Sequence, residues 1–296
     1  MWRMQKRFFV PFFIVCCVLN PVPAFSRELV EFSTPDQANA PGQGQAVSAN
    51  VSAGEASDPF PSGLLAIADY KYPVYLYAPK GYRADRSYAM IMVAPSEGAK
   101  AEEGIEYFRG LADREMFFVL STEGLWTEDD DVPTNLDVWL LQIKKDVLAR
   151  FPVDQKRVFL VGRDSGAQYA AYLAMRYPAE FSGAALIGQA WSSSFAILMR
   201  PSPNPEKQVP FIAAFRADQA EVKAKNQEWL DKLQMKGYPL KVVDVPDAAG
   251  FNTSEFKKET YAWLETTSQR FGAVVEKGKK GFKSKLKKGI KDFFTV

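Results

Sequence analysis

The alternation of two textures constrains this chain more than any single motif. From about Pro61 onward, β-rich runs and segments with helical apolar spacing take turns, a pattern that calls for a parallel sheet with crossover helices. Tyr72–Ala78 (YPVYLYA) and Ala89–Ala94 (AMIMVA) read as strands separated by the turn-like KGYRADRS. Ala101–Glu115 places Ile105, Phe108 and Leu111 on one helical face and runs into a short strand over Phe117–Leu120. After a polar loop, Leu136–Phe151 carries Val138, Leu141, Ile143, Val147 and Leu148 along a broad apolar face. Arg157–Val161 (RVFLV) is a continuous apolar run suited to a central strand, and a helix follows from about Gly166 to Arg176. Ala184–Ile187, Pro210–Phe215 and Leu240–Val245 supply further strands, with helices over Val222–Lys236 and Ser254–Thr266. The expected fold class is α/β: a doubly wound, mostly parallel sheet flanked by helices, in one domain over 61–270. No solenoid-type repeat interrupts it.

What such a domain can do is limited by a missing residue: none of the 296 positions is histidine. The usual general base near neutral pH and the commonest metal ligand are therefore absent, and Ser-His-Asp and Cys-His mechanisms are excluded. Cys16 and Cys17 are the only cysteines and sit near the N-terminus, so the domain holds neither a disulfide nor a thiolate metal site.

The flanks differ from the domain. Arg3, Lys6 and Arg7 precede an apolar stretch from Phe8 to Leu19, followed by Pro21, Pro23, Ala24 and Ser26. That order reads as a secretory signal peptide over 1–26, and the expected location is exported, periplasmic or extracellular. Residues 27–60 read as a flexible linker, rich in Ala, Ser, Gly, Gln and Asn over 33–58. At the other end, Phe271 to Val296 holds eight lysines against Glu276 and Asp292, so positive charge is a property of the tail and the remainder of the exported chain is net acidic. Nucleic acid is disfavoured as a partner. Over 271–296 a helix would gather Val275, Phe282, Leu286, Ile290 and Phe293 on one side, with Lys279, Lys280 and Lys283 among the lysines elsewhere. This basic amphipathic helix is a candidate contact element for another envelope protein or an anionic membrane surface; the plainer reading packs it on its own domain with the lysines solvated.

The chemistry-bearing segment is RVFLVGRDSGAQYAAYLAMRYP, in which an apolar strand enters a tight turn through Gly162 and leaves through Gly166 into an alanine-rich helix. Strand, sharp turn, helix is the geometry of a nucleophile elbow. With PKGYRADRSYAMIMVAPSEG, FPVDQKRVFLVG, PFIAAFRADQ and KVVDVPDAAGF, it makes the chain from about Tyr72 to Leu264 resemble the α/β-hydrolases. The likeness is greatest to secreted polyhydroxybutyrate-depolymerase and feruloyl-esterase types and their dienelactone-hydrolase relatives.

The resemblance also shows what has changed. Where the family needs G-x-S-x-G, this chain reads G-R-D-S-G, which puts Asp164 at the nucleophile position with Ser165 beside it. Asp218 of FRADQ falls on the acid position, Ala249 of DAAGF on the histidine position, and Ala94, Pro95 and Ser96 on the oxyanion loop, where proline offers no N–H. An aspartate nucleophile would form an ester that related enzymes hydrolyse with histidine-activated water. Asp164, Ser165, Asp218 and Ala249 read as vestigial, with Asp164 capping the helix that follows, and no catalytic residue, metal or cofactor is expected.

The resulting expectation is an exported, catalytically inactive α/β-hydrolase-like protein serving as a binding or structural component, with a cell-envelope assembly as its setting. Two alternatives stand beside it: a carboxylate-based or esterase-like hydrolase using Asp164, Ser165 and Asp218, and a membrane-surface protein bound through the tail. Asp164 and Asp218, with Glu97, could also share a proton or hold a hard cation, against the simpler reading of solvated capping residues. Glu128–Asp131 reads as a solvated loop, and Trp126 and Trp191 as packing residues that could line the old cleft.

Overall fold

The computed structural model describes residues 61–67, 70, 72–123, 136–188 and 199–293, with side chains placed as far as Lys280. All belong to the second of two units into which the chain divides, Ala56–Val296. The signal segment, the linker, Trp126, Glu128–Asp131 and Trp191 lie outside the described residues.

Eight strands form one sheet: β1 (Gly63–Ala66), β2 (Val74–Ala78), β3 (Tyr88–Val93), β4 (Phe117–Thr122), β5 (Val153–Arg163), β6 (Gly183–Ile187), β7 (Phe211–Arg216) and β8 (Leu240–Val245). Their spatial order is β1-β2-β4-β3-β5-β6-β7-β8. β2 runs antiparallel to both its neighbours, and every pairing from β4 to β8 is parallel. Among the described residues five α-helices accompany the strands: α1 (Ala101–Glu115), α2 (Leu136–Arg150), α3 (Ser165–Arg176), α4 (Ala220–Met235) and α5 (Ser254–Phe293). The mostly parallel α/β architecture expected from the alternation is the one observed.

Side-chain alternation divides the core into two layers. Met90, Met92, Phe118, Leu120, Val158 and Leu160 point from the central strands to the α2 and α3 side, where Leu140, Ile143, Tyr169 and Leu173 meet them. Ala89, Ile91, Phe117, Val119, Phe159 and Val161 point to the α1 and α5 side, against Ile105, Phe108, Leu111, Tyr261 and Leu264. Each fully buried large side chain contributes roughly 1.5–3 kcal/mol. Aromatic contacts tie α5 down, with Phe117 and Tyr261 stacked at 4.5 Å between centroids. Two buried charged groups of α2 are paired: Lys144, only 4% exposed, donates to the carbonyl and carboxylate of Glu180, and Asp137 accepts from Tyr172 and Tyr177.

The structure departs from the sequence reading at three places. β1 pairs antiparallel with β2 although its four residues, GLLA, are too short to carry a periodic signal. β5 begins at Val153, four residues before the apolar run, because Val153 pairs with Tyr88 before an irregularity in the ladder. Finally, the helix begun at Ser254 does not end at Thr266 but continues for 40 residues through the lysine-rich segment, where neither Gly272 nor Gly278 stops it.

Burial pushes the Tyr107 and Tyr172 phenols each up to about 12 and raises Tyr169 and Tyr261 as well, with neighbouring acids adding to the shift of all four. Because these folded-state values are raised, their contribution to stability is complete below the ordinary tyrosine pKa of about 10 and lost as pH rises through the folded values. Spectrophotometric titration at alkaline pH should therefore show a delayed set of tyrosines, with unfolding setting in between about pH 10 and 12.

Candidate active-site elbow

The centre of the carboxyl edge of the sheet is the turn from β5 into α3. Two glycines allow it. A Cβ on Gly162 would stand 2.1 Å from the Gly166 carbonyl oxygen, and one on Gly166 would stand 2.6 Å from Ser96 Oγ and 2.8 Å from the Ala94 carbonyl oxygen. Between them Asp164 adopts φ 48°, ψ −127°, one of two non-glycine residues with positive φ among the described residues. Such a conformation costs of order 1–3 kcal/mol in a residue with a Cβ. Asp164 is held there by its backbone, whose N–H donates to the Ile187 carbonyl at 2.9 Å and whose carbonyl accepts from the Ala167 N–H at 3.0 Å.

Asp164 occupies the N-cap position of α3, but its side chain makes no capping hydrogen bond. The expectation that it caps the helix is corrected: the positive φ carries the exposed carboxylate away from the helix amides and over Gly188, 3.3 Å from where a Cβ would lie, beside the Phe251 ring. The next residue is as tightly engaged. Ser165, 5% exposed, accepts the Glu97 N–H on its Oγ at 2.9 Å, while Ser96 Oγ donates to the Arg163 carbonyl at 2.7 Å. In the loop after β3, the Ala94 N–H donates to the Val161 carbonyl and Pro95 has none to offer. Two of the loop's backbone donors are thus consumed within the protein.

Asp218 follows β7 and is chelated by Arg216, with Nε at 2.9 Å and an Nη at 2.5 Å from its two oxygens. Those hydrogen bonds hold its carboxyl below the usual range, and they are also the main cause of the raised Arg216 value, to which Asp247 and Asp164 add. Arg216 thus stands in the field of all three acids. Ala249 is exposed and immediately precedes a single 3-10 turn, Gly250–Asn252, whose Phe251 is buried. Among the described residues no three His, Cys, Asp or Glu side chains gather to hold a metal ion. Asp218 is engaged by Arg216, two residues earlier across the turn that ends β7, which reaches both carboxylate oxygens.

Several residues here were not singled out in the sequence. Tyr107 of α1 donates to the Phe251 carbonyl, and its ring carries the Arg163 guanidinium at 4.3 Å and the Lys257 ammonium at 4.0 Å from the centroid. Burial, and then Arg163, hold Lys257 below the ordinary lysine range. Arg216 was legible as R-x-D at a strand end; the Tyr107 cluster joins three distant segments and left no local signal. A cleft of about 300 Å³ opens beside the elbow, lined by Ala94–Lys100, Glu103, Ser121, Thr122 and Arg163–Ser165. The Thr122 hydroxyl, on a residue 3% exposed, has no hydrogen-bond partner among the described residues.

No family model matches this chain, and no curated protein matches it. Solved structures do. A thermostable esterase superposes with TM-score 0.53 at 16% identity over 69% of this chain, which spans 62% of that protein's length. The fluorophosphonate-binding serine hydrolase F of Staphylococcus aureus superposes with TM-score 0.53 at 13% identity, over 65% of this chain and 92% of its own. A bacterial heroin esterase gives TM-score 0.51 at 15% identity, over 71% and 84%. At such identities the likeness establishes an α/β-hydrolase fold.

Two substitutions probe the elbow. Alanine at Gly162 or Gly166 should lower stability by about 1–3 kcal/mol or more, since the clashing atoms are backbone or tightly bound. Glycine at Asp164 should raise it by roughly 1 kcal/mol, the strain relieved less the added chain entropy, and denaturant midpoints would register both.

Proposed function

We propose that this chain is an exported α/β-hydrolase-fold protein that does not hydrolyse esters and acts as a binding or structural component of a cell-envelope assembly. The observation that carries the reading is the joint state of the three positions that would relay a proton. Asp164 stands at the nucleophile position, Asp218 is neutralised by both nitrogens of the Arg216 fork, and Ala249 stands where a histidine would be needed in a chain that has none. In a working triad the base accepts the nucleophile's proton and returns it to the leaving group. Neither transfer has a carrier here. Ser165 does not substitute as a nucleophile, being buried with its Oγ accepting a backbone N–H and no imidazole to take its proton.

One observation favours the alternative of a carboxylate-based hydrolase: Asp164 keeps the strained, solvent-facing conformation of a nucleophile. An adduct on its carboxylate would nevertheless need an activated water to leave, and the chain holds no histidine to activate one. The export and envelope elements of the reading rest on the leader sequence and on the composition of residues 27–60.

Short-chain p-nitrophenyl esters and a fluorophosphonate probe distinguish the two readings. The protein should show no turnover and no labelling above an Asp164→Ala, Ser165→Ala double variant. Saturable turnover that disappears in the double variant overturns the proposal in favour of the carboxylate mechanism.

A further inference from the structure

α5 connects the two ends of the sheet. It starts at the carboxyl edge, directly after the turn whose Phe251 ring lies over Gly188 beside Asp164. It passes the amino edge near its middle, where Ser268, Phe271 and Val275 share a groove of about 700 Å³ with Gln155 and Arg157 of β5 and with Pro210. Among the described residues the ion pair farthest along it is Lys279 with Glu206, at 3.7 Å. The helical backbone then continues to Phe293, fourteen residues and about 21 Å at 1.5 Å per residue.

The face that α5 presents to the domain continues into that extension. Leu264 is wholly buried and Ser268 nearly so. From Leu264, steps of four, three, four, seven, four and seven residues reach Ser268, Phe271, Val275, Phe282, Leu286 and Phe293, and such steps return to one side of a helix. An apolar row that serves as core packing on the sheet therefore extends past the sheet at the same helical phase. Around it, between Phe271 and Val296, are eight lysines and two acids.

We infer that this extension lies on an anionic lipid bilayer, apolar row inward, and holds the domain with its elbow cleft turned away from the membrane. The charge and the row together select the occupant. A second copy of the helix would bring lysines against lysines. A nucleic acid would use the lysines and leave the apolar row in water. An anionic bilayer accepts both at once, drawing lysines to its headgroups while the row enters the acyl boundary. No helix among the described residues is long and apolar enough to cross a membrane, so the extension is placed on the surface. The cleft faces away because the helix leaves the amino edge of the sheet while the elbow sits at the carboxyl edge. This inference is independent of whether the elbow is catalytic.

Co-sedimentation of residues 27–296 with phosphatidylglycerol–phosphatidylcholine vesicles, beside pure phosphatidylcholine vesicles, tests it. Binding should require the anionic lipid, fall steeply in about 0.5 M salt, and vanish on deletion of 271–296. Replacing Lys283, Lys285, Lys287 and Lys288 by Gln should weaken partitioning at least tenfold, each lysine near the surface being worth about fivefold. Replacing Phe282, Leu286 and Phe293 by Ser should weaken it with all lysines in place, which separates insertion from simple charge attraction. Both sets of changes lie beyond the packed half of α5, so an unchanged thermal transition confirms that the domain is intact. Binding indifferent to the deletion, equal binding to neutral vesicles, or no binding to either vesicle overturns the inference.

Discussion

The structure depends on one close backbone approach, that of β5 to the first turn of α3. Gly162 and the Gly166 carbonyl come so near that a single added carbon would lie 2.1 Å from the oxygen, and Gly166 in turn lies against the loop after β3 through Ser96 and Ala94. Through these contacts β3, β5 and α3 meet at one point, and the Asp164 N–H brings in β6 by donating to Ile187. The strained torsion of Asp164 is a consequence. Four elements fix the backbone on either side, so the residue between the glycines takes the conformation left to it, whatever its chemistry. Strain at this position is therefore set by the backbone around it and does not by itself report catalysis.

Electrostatics around the elbow follow a different logic from that of a proton relay. A relay needs a base of intermediate pKa whose partner acid is free to orient it. Here the acid at the end of β7 is saturated by Arg216, and the volume near the missing imidazole is bordered by Phe251 and by Tyr107, whose ring supports two cations. Burial and the neighbouring Asp164 keep the Tyr107 phenol protonated far above neutral pH. Asp218 and Arg216 thus hold their charges on each other, while burial and Arg163 lower Lys257.

The fold was legible because its strands are buried on both faces. AMIMVA, RVFLV and FIAAF are continuous apolar runs, and the helices between them carry their apolar residues at helical spacing, so element type followed from periodicity alone. β1 was hidden because it is held by pairing with β2 rather than by its own pattern. At the site, the two glycines and Asp164 could be placed because a sharp strand-to-helix turn leaves a local signature. The Tyr107 cluster could not, since it joins side chains of distant segments whose proximity is created by the fold, whereas the Arg216 clamp is a local pair two residues apart. The capping role read for Asp164 failed for a related reason: residue type favours capping, but the torsion imposed by the flanking glycines directs the carboxylate elsewhere.

The same separation of local and imposed features explains α5. Its sequence contains a composition boundary near Phe271, where lysines and glycines replace the mixed surface of the domain, and composition suggests a new segment there. The backbone recognises no boundary, because helical hydrogen bonding continues wherever no proline intervenes and a glycine in a helix costs only about 1 kcal/mol. A domain that ends in a helix packed along its sheet can therefore extend that helix at low cost and in fixed phase. The register set by Leu264 against the core then determines which side of the extension is apolar. The extension has only to place residues on a row that the core has already oriented, at the edge of the sheet opposite the elbow.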